Sequence, residues 1–375
     1  MEPNVRLAAL GDVALVAREA LKALSIASSF FHSLDADIIL ANLEAPIGRG
    51  YPTPGKINLY SPEESVLYLR DAGINVVNLA NNHIMDYGEI AAKRTMRLLK
   101  EAGIHYFGIG TLSDIVNPVV LKVKGLRLAF MGYAAPTTHP IFASNDTLGC
   151  DRLNIEKIVD DIQTVKQEAD CIIVSLHWGF QDQFYPTPEQ IAQAHTIIDA
   201  GAHVIIGHHA HVFQGFEQYK KGIIFYGLGN FIFPNVKSDS YFDEHCNSRI
   251  YNVKWYSWNQ YSIVPVLEVS KAKECKVKVV KIIFTKFDPA MGILQVLRGA
   301  AESRMRKRLS IISRPIAQPY YPIYWRIEKR ISNLRLMWAK WKENGFKPAL
   351  KVSHLKVLFN RVVLGKLPEL DDEKS

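Results

Sequence analysis

Three histidines within four residues, His208-His209-Ala210-His211, follow a short apolar run. Packing has little use for so many imidazoles at one strand end. The alternate spacing of His209 and His211 can aim two side chains at neighbouring cations. Four other apolar runs end in a similar way. Val5 to Leu10 leads into Gly11-Asp12, and Asp37 to Ala41 into Asn42-Leu43-Glu44. Asn75 to Leu79 leads into Ala80-Asn81-Asn82-His83, with Asp86 and Gly88 beyond, and Cys171 to Leu176 into His177-Trp178-Gly179. Asp12, Glu44, Asn82, His177, His209 and His211 together offer oxygen and imidazole donors without a thiolate. Such a set suits a divalent Mn, Fe or Zn site, and six ligands suit two ions better than one. Two ions bridged by a carboxylate acidify water and clamp an ester or amide, so the expected chemistry is metal-assisted hydrolysis.

Each motif also has a plainer reading. Gly11-Asp12 can be a turn with an N-cap, Glu44 an exposed loop carboxylate, and Asn81-Asn82 an Asx-turn leading into the next helix. Beyond the donor set, Tyr226-Gly227-Leu228-Gly229-Asn230-Phe231 carries two glycines that permit close approach of backbone or ligand. Trp178, Gln214, Tyr226 and Asn230 are candidates for gripping a substrate. For Trp178 and Tyr226 the alternative is a place in the core.

The elements that must position these residues are βα repeats. Short runs of Val, Ile, Leu and Phe alternate with amphipathic segments up to about residue 235, as strands buried on both faces require. Further runs, His105 to Ile109, Leu126 to Met131, His203 to Ile206 and Ile223 to Tyr226, complete eight expected strands. Glu63 to Ala72, Ala91 to Ala102, Ile155 to Glu168 and Glu189 to Ala200 read as helices, with Gly73, Gly103 and Gly201 at their C-terminal ends. In such an α/β architecture ligands gather beyond the carboxyl ends of the strands, where all five motifs fall. After Pro234 a polar, aromatic stretch leads to Tyr261 to Val269 and Lys276 to Phe287, expected as an antiparallel pair. From about residue 290 the chain reads as helical and basic. The expected division is therefore an α/β core over 1–290 and an extension over 291–375.

These motifs, in this order, resemble the CapA-type capsule synthesis family, also called poly-γ-glutamate synthesis proteins, whose fold is similar to calcineurin-like metallophosphoesterases. The resemblance covers residues 5 to 235 and implies a layered α/β fold. It implies that Asp12 and Glu44 are the first acidic ligands, Glu44 bridging, with Asn82 the amide ligand and His177, His209 and His211 the imidazoles. It further implies that His83 donates a proton to the leaving group and that Asp86 orients it. Three positions depart from the family pattern. Gln181, followed by Asp182, stands where an acidic residue is usual, which makes Gln181 a candidate substrate contact. Ala210 replaces a proline, and the first motif lacks the second histidine of ordinary phosphoesterases. The implied activity is hydrolysis of a phosphoester or amide in the making of an anionic capsular or envelope polymer. The alternative is a noncatalytic subunit of a polymer synthase that binds metal and polymer.

Composition supports a folded chain. Of 375 residues, 48% are hydrophobic and 22% charged, which excludes disorder and collagen-like fibres. Cys150, Cys171, Cys246 and Cys275 lie far apart without a CxxC pair, so neither a zinc ribbon nor a disulfide frame is expected. The net charge of +8 is unevenly placed. Residues 301 to 375 hold 17 Lys and Arg against 7 Asp and Glu, leaving the first 300 residues with 28 against 30. Arg304 to Arg308 is densely basic, and Trp325, Trp338 and Trp341 recur among Lys and Arg. This tail suits an anionic membrane surface or a synthase partner. A solvated extension packed on the core is the alternative, and nucleic acid is not expected because no binding module accompanies the charge. The N-terminus has no basic region before its first apolar run, and no apolar stretch is long enough to span a bilayer. The expected location is cytoplasmic, peripheral to a membrane where the tail engages one.

Overall fold

The computed structural model describes residues 4–242, 248–271 and 273–343. The elements of its first third are β1 (Asn4–Val13), α1 (Arg18–Ile26), α2 (Ser28–Ser33), β2 (Ile38–Leu43), α3 (Ser65–Asp71), β3 (Val76–Asn78), α4 (Gly88–Glu101) and β4 (His105–Phe107). The middle adds β5 (Ile109–Gly110), β6 (Val119–Val123), β7 (Leu126–Ala134), β8 (Gly149–Cys150), α5 (Ile155–Val165), β9 (Cys171–His177), α6 (Pro188–Ala200) and β10 (Val204–His208). Then come β11 (Phe216–Tyr219), β12 (Gly222–Phe225), β13 (Asn230–Ile232), β14 (Val236–Phe242) and β15 (Ser248–Val253). The described chain ends with β16 (Tyr261–Lys271), β17 (Cys275–Asp288), β18 (Ile293–Val296), α7 (Gly299–Ser313) and α8 (Tyr321–Glu343).

Two sheets stack face to face. The first has the order β18-β17-β16-β1-β2-β3-β4, with β13 joining β1, and the second the order β11-β12-β10-β9-β7-β6. The period of two in the sequence explains the layering. Val5, Leu7 and Ala9 of β1 and Ile38 and Leu40 of β2 face the second sheet in one large apolar cluster. The alternate residues, Ala8 and Leu10 of β1 and Ile39 and Ala41 of β2, pack with Leu21, Leu24, Leu69 and Leu99 of the covering helices in another. Both faces of these strands are thus dry, as continuous apolar runs require.

The expected α/β repeats are present, but they build two sheets, because periodicity marks a strand without naming its neighbour. Helices α1 and α2 were not anticipated. The α1 start at Ala17 has no side-chain cap, so the usual signal is missing. The C-terminal glycines behave as anticipated, Gly73 and Gly103 at φ +74° and Gly201 at φ +126°. The antiparallel pair after Pro234 is β16 with β17, and β18 continues the same sheet on the far side of residue 290. Helix α7 buries Leu309 and Ile312 against the core, and α8 begins with Tyr321 donating its hydroxyl to the Pro186 carbonyl at 2.7 Å. The tail beyond Glu343, like Cys246, lies outside the described residues.

Candidate metal centre

The carboxyl ends of β1 and β2 in one sheet meet those of β9 and β10 in the other. Asp12 is still in β1, where pairing with β2 skips between Ala9 and Asp12. Gly11 makes the crossing possible, since a Cβ there would sit 1.9 Å from the Gly229 carbonyl oxygen. Glu44 follows β2 directly, and His177 and His208 are the last residues of adjacent, paired strands. His209 and His211 turn back over the cluster with φ of +82° and +54°. A left-handed backbone at two non-glycine residues in three is strain of the kind that collects at functional sites.

Two donor sets result: Glu44, His177 and His209 in one, and Asp12, Glu44 and His211 in the other, each with its ligand atoms within 4.8 Å of one another. Glu44 belongs to both. Its Oε1 lies 3.9 Å from His177 Nε2 and 3.7 Å from His211 Nε2. Asn82 Oδ1 is 2.9 Å from His177 Nε2, which is 3.1 Å from His209 Nδ1. All six ligands expected from the sequence are therefore brought to one place. Asp12 Oδ2 and Glu44 Oε1 are buried and accept no hydrogen bond. Two orphaned carboxylate oxygens beside imidazole nitrogens is the arrangement a divalent cation would complete, so the residues fit a metal.

The electrostatics agree. Burial opposes ionisation of Asp12, but the imidazoles of His208 and His211 outweigh it and hold this carboxyl well below the usual range. Burial, then the Asp12 charge, pushes Glu44 well above it. Burial and the neighbouring His209 lower His177, while burial and His211 lower His209 to about 3. Both imidazoles are thereby kept neutral, the form that binds metal.

Several residues were missed by sequence reasoning. Asn42 is the hub of the cluster: its Nδ2 donates to Asp12 Oδ1 at 2.9 Å and to Glu44 Oε2 at 3.1 Å. It stands two residues before Glu44, a spacing that places both on one face of a strand and was the available signal. His208 Nδ1 lies 3.1 Å from Asp12 Oδ1, so the third histidine of the triplet also joins the cluster. Lys56, in a loop with no distinguishing motif, pairs with Asp86 Oδ1 at 2.5 Å and donates to the Asn82 carbonyl. The two amides of Asn81-Asn82 divide the two readings of that motif. Asn81 Oδ1 accepts from the backbones of His83 and Ile84 in an Asx-turn, which leaves Asn82 to face His177.

Beside the cluster opens a cleft of about 440 Å³, lined by Lys56, Asn82, His83, His139, Phe180, Gln181 and His209 among others. His83 Nδ1 meets Asp86 Oδ2 at 2.7 Å, so Nε2 is its remaining ring nitrogen. Burial lowers the pKa of His83, and Asp86 opposes that effect. Gln181 lines the cleft, whereas Asp182 turns away to accept from Trp258 Nε1 at 3.0 Å and Asn259 Nδ2 at 2.7 Å. The other expected substrate contacts lie elsewhere. Trp178 and Tyr226 are core aromatics, the indole donating to the Tyr226 carbonyl at 3.1 Å and the two rings stacked. Gln214 is buried and donates to the Gln183 carbonyl at 2.7 Å. Asn230 Oδ1 accepts from His211 Nδ1 at 2.8 Å, so it braces that imidazole.

Residues 6–235 match the family described as bacterial capsule synthesis protein PGA_cap. The chain belongs to this family. Among PGA_cap relatives, the capsule biosynthesis protein CapA of Bacillus anthracis is 38% identical over 209 residues, 53% of this chain and 51% of its own. The PGA biosynthesis protein CapA of Bacillus subtilis is 32% identical over 203 residues, 53% of each. A probable polyglutamine synthesis accessory protein of Mycobacterium tuberculosis is 29% identical over 170 residues, 42% of this chain and 45% of its own. The chain thus spans about half the length of the curated relatives it matches. Among solved structures, the NAD nucleotidase of Haemophilus influenzae aligns over 82% of this chain and 56% of its own, at 11% identity and a TM-score of 0.44.

Proposed function

We propose that this PGA_cap protein is a metal-dependent hydrolase that acts on a phosphoester or amide bond in the synthesis of an anionic capsular or envelope polymer, poly-γ-glutamate foremost. The observation that carries the reading is a hydrogen-bonded His–Asp pair beside the carboxylate–imidazole cluster: His83 lies on the wall of the same cleft as Asn82 and His209, with buried Asp86 2.7 Å behind it. Asp12, Glu44 and His211 would hold one ion, and Glu44, His177, His209 and Asn82 a second, with Mn, Fe or Zn the fitting elements. When bound, such ions polarise the oxygen of a phosphoryl or acyl group and acidify water. The chain's own residues supply the rest. Asp86 takes the Nδ1 proton of His83 in a hydrogen bond and supports the imidazolium, so that Nε2 can deliver a proton to a leaving group. Lys56 neutralises Asp86 on its other oxygen and fixes the loop that carries Asn82.

A noncatalytic role within a polymer synthase has its own support in the name of the mycobacterial relative, an accessory protein. His83→Ala separates the two. In the hydrolase reading the variant binds metal as the parent does and loses turnover of phosphoester panels and γ-linked glutamate oligomers by a factor of about 10² or more. Turnover that survives the substitution removes His83 from the chemistry, and metal-loaded parent protein without any turnover favours the accessory role.

The basic helices are the proposed contact to an anionic membrane surface. Ile323, Ile327 and Ile331 of α8 recur at intervals of four and are 64%, 53% and 36% exposed, with Arg326 and Arg330 between them. Among the described residues no helix is long and apolar enough to cross a membrane.

A further inference from the structure

Two cysteines far apart in sequence meet at the end of the sandwich remote from the metal cluster. Cys171 is the first residue of β9, whose last residue is His177, and six residues of strand place them about 20 Å apart. Cys275 is the first residue of β17, at the hairpin that joins it to β16. The two Sγ atoms and a ring nitrogen of His203 all lie within 4.8 Å of one another. Cys171 is fully buried, whereas His203 and Cys275 are half-buried and line an open cleft of about 690 Å³.

The surroundings favour thiol chemistry over metal binding. The Ile172 backbone N–H donates to His203 Nδ1 at 3.1 Å, which assigns the proton of the neutral ring to Nε2. His203 then acts as a donor, and its lone pair is unavailable to a cation. Of the carboxylates beside the two thiols, Asp170 has both oxygens engaged, Arg127 holding it through backbone and guanidinium and Lys271 contacting Oδ1 at 2.5 Å, and Glu274 Oε2 pairs with Lys221 at 2.6 Å. Only two sulfur ligands remain, short of the four that a structural zinc site uses. The same donors favour a thiolate at Cys275. Cys171, then His203, hydrogen-bond to it and bring its pKa down to about 5, while Cys171 is pushed up because it keeps the shared proton.

We propose that Cys275 and Cys171 form a redox-active dithiol, in which Cys275 reacts first with hydrogen peroxide and Cys171 then resolves it to a disulfide that ties the two sheets together. In the first step the Cys275 sulfur attacks one peroxide oxygen. The S–O bond forms, the O–O bond breaks, and the leaving hydroxide is protonated to water. In the second step Cys171 gives up its proton and attacks the Cys275 sulfur. The S–S bond forms, the S–O bond breaks, and a second water leaves. Two thiols have lost two electrons and one peroxide has gained them. A low-pKa thiol next to a resolving thiol is the arrangement such sensors use.

The test uses the full reduced protein without substitution. It is treated with hydrogen peroxide at a slight molar excess, alkylated, digested and analysed by mass spectrometry without reductant. The expected product is a peptide pair joined through Cys171 and Cys275, lighter by two hydrogens, which dithiothreitol separates. Before oxidation, iodoacetamide at mildly acidic pH should label Cys275 at least tenfold faster than Cys150. In Cys171→Ala, dimedone should trap the Cys275 sulfenic acid that the parent passes on. Linked peptides that join other cysteines, equal labelling of Cys275 and Cys150, or a bound zinc ion lost in Cys275→Ser would each overturn the proposal.

Discussion

Replacing Glu44 by Gln separates the cost of a buried acidic cluster from the benefit of a cation within it. Glu44 is fully buried, and its Oε1 accepts no hydrogen bond, the nearest imidazole nitrogens being 3.7 and 3.9 Å away. Its other oxygen has the Asn42 amide at 3.1 Å. Burial and the Asp12 charge raise its pKa, so the folded state holds this proton more tightly than the unfolded chain. Stability of the metal-free protein therefore falls as pH rises through the raised value. Gln keeps the shape and an acceptor for Asn42, and removes the charge. An unsatisfied charged oxygen costs more than the about 1–3 kcal/mol of a neutral polar group, and the Gln amide leaves only the neutral cost, so metal-free Glu44→Gln should be more stable than the parent by about 1 kcal/mol or more at mildly alkaline pH. At about 2–4 °C per kcal/mol for domains of about 150–250 residues, its thermal midpoint in EDTA should rise by a few degrees. With a divalent ion at about 100 times Kd the parent should gain about 2.7 kcal/mol and the variant far less, so the order reverses. Thermal scans in EDTA and across a Mn or Zn series read both effects. A metal-free variant less stable than the parent, or one that gains as much from metal, refutes the reasoning.

Gly11→Ala should destabilise the protein by about 2–4 kcal/mol, since its Cβ would meet the Gly229 oxygen at 1.9 Å and break the Asp12 N–H bond to that oxygen at 3.0 Å. Denaturant unfolding with EDTA present checks this, and a change under about 0.5 kcal/mol would show that the crossing is not tight. The double variant Ile323→Asp, Ile327→Asp should lose most binding to phosphatidylserine vesicles in co-sedimentation while keeping its thermal midpoint. Parent and variant pelleting alike would remove α8 as a membrane contact.

The six donors were legible because each is a polar residue stranded at the end of an apolar run, where packing offers no account of it. What the sequence could not reveal was which side chains at those ends are spent on one another. Trp178 and Tyr226 looked available as aromatics near a glycine turn, but their ring faces stack and the indole N–H is used by a backbone carbonyl. Asn42, given no role beside Glu44 in its motif, is the residue that holds the two carboxylates at one point. Lys56 had no local signal, because its role depends on a loop folding back onto Asp86, a contact across 30 residues. Likewise Asp182, next to the family's usual acidic position, is removed from the cleft by partners from the segment before β16, over 75 residues away.

The pairing of strands was the larger unknown, and it changes what the donors mean. Read as the ends of one sheet, they would form a row along a single edge. In the fold, Asp12 and Glu44 come from one sheet and His177, His209 and His211 from strands and turns of the other, so carboxylates and imidazoles meet only where the two sheets close. A cation there would be held by both layers at once, between the unpaired oxygens of Asp12 and Glu44. Cys171 and Cys275 also come from different sheets, at the opposite end of the same sandwich. Neither junction is visible in spacing along the chain, since each exists only because the two sheets close on one another.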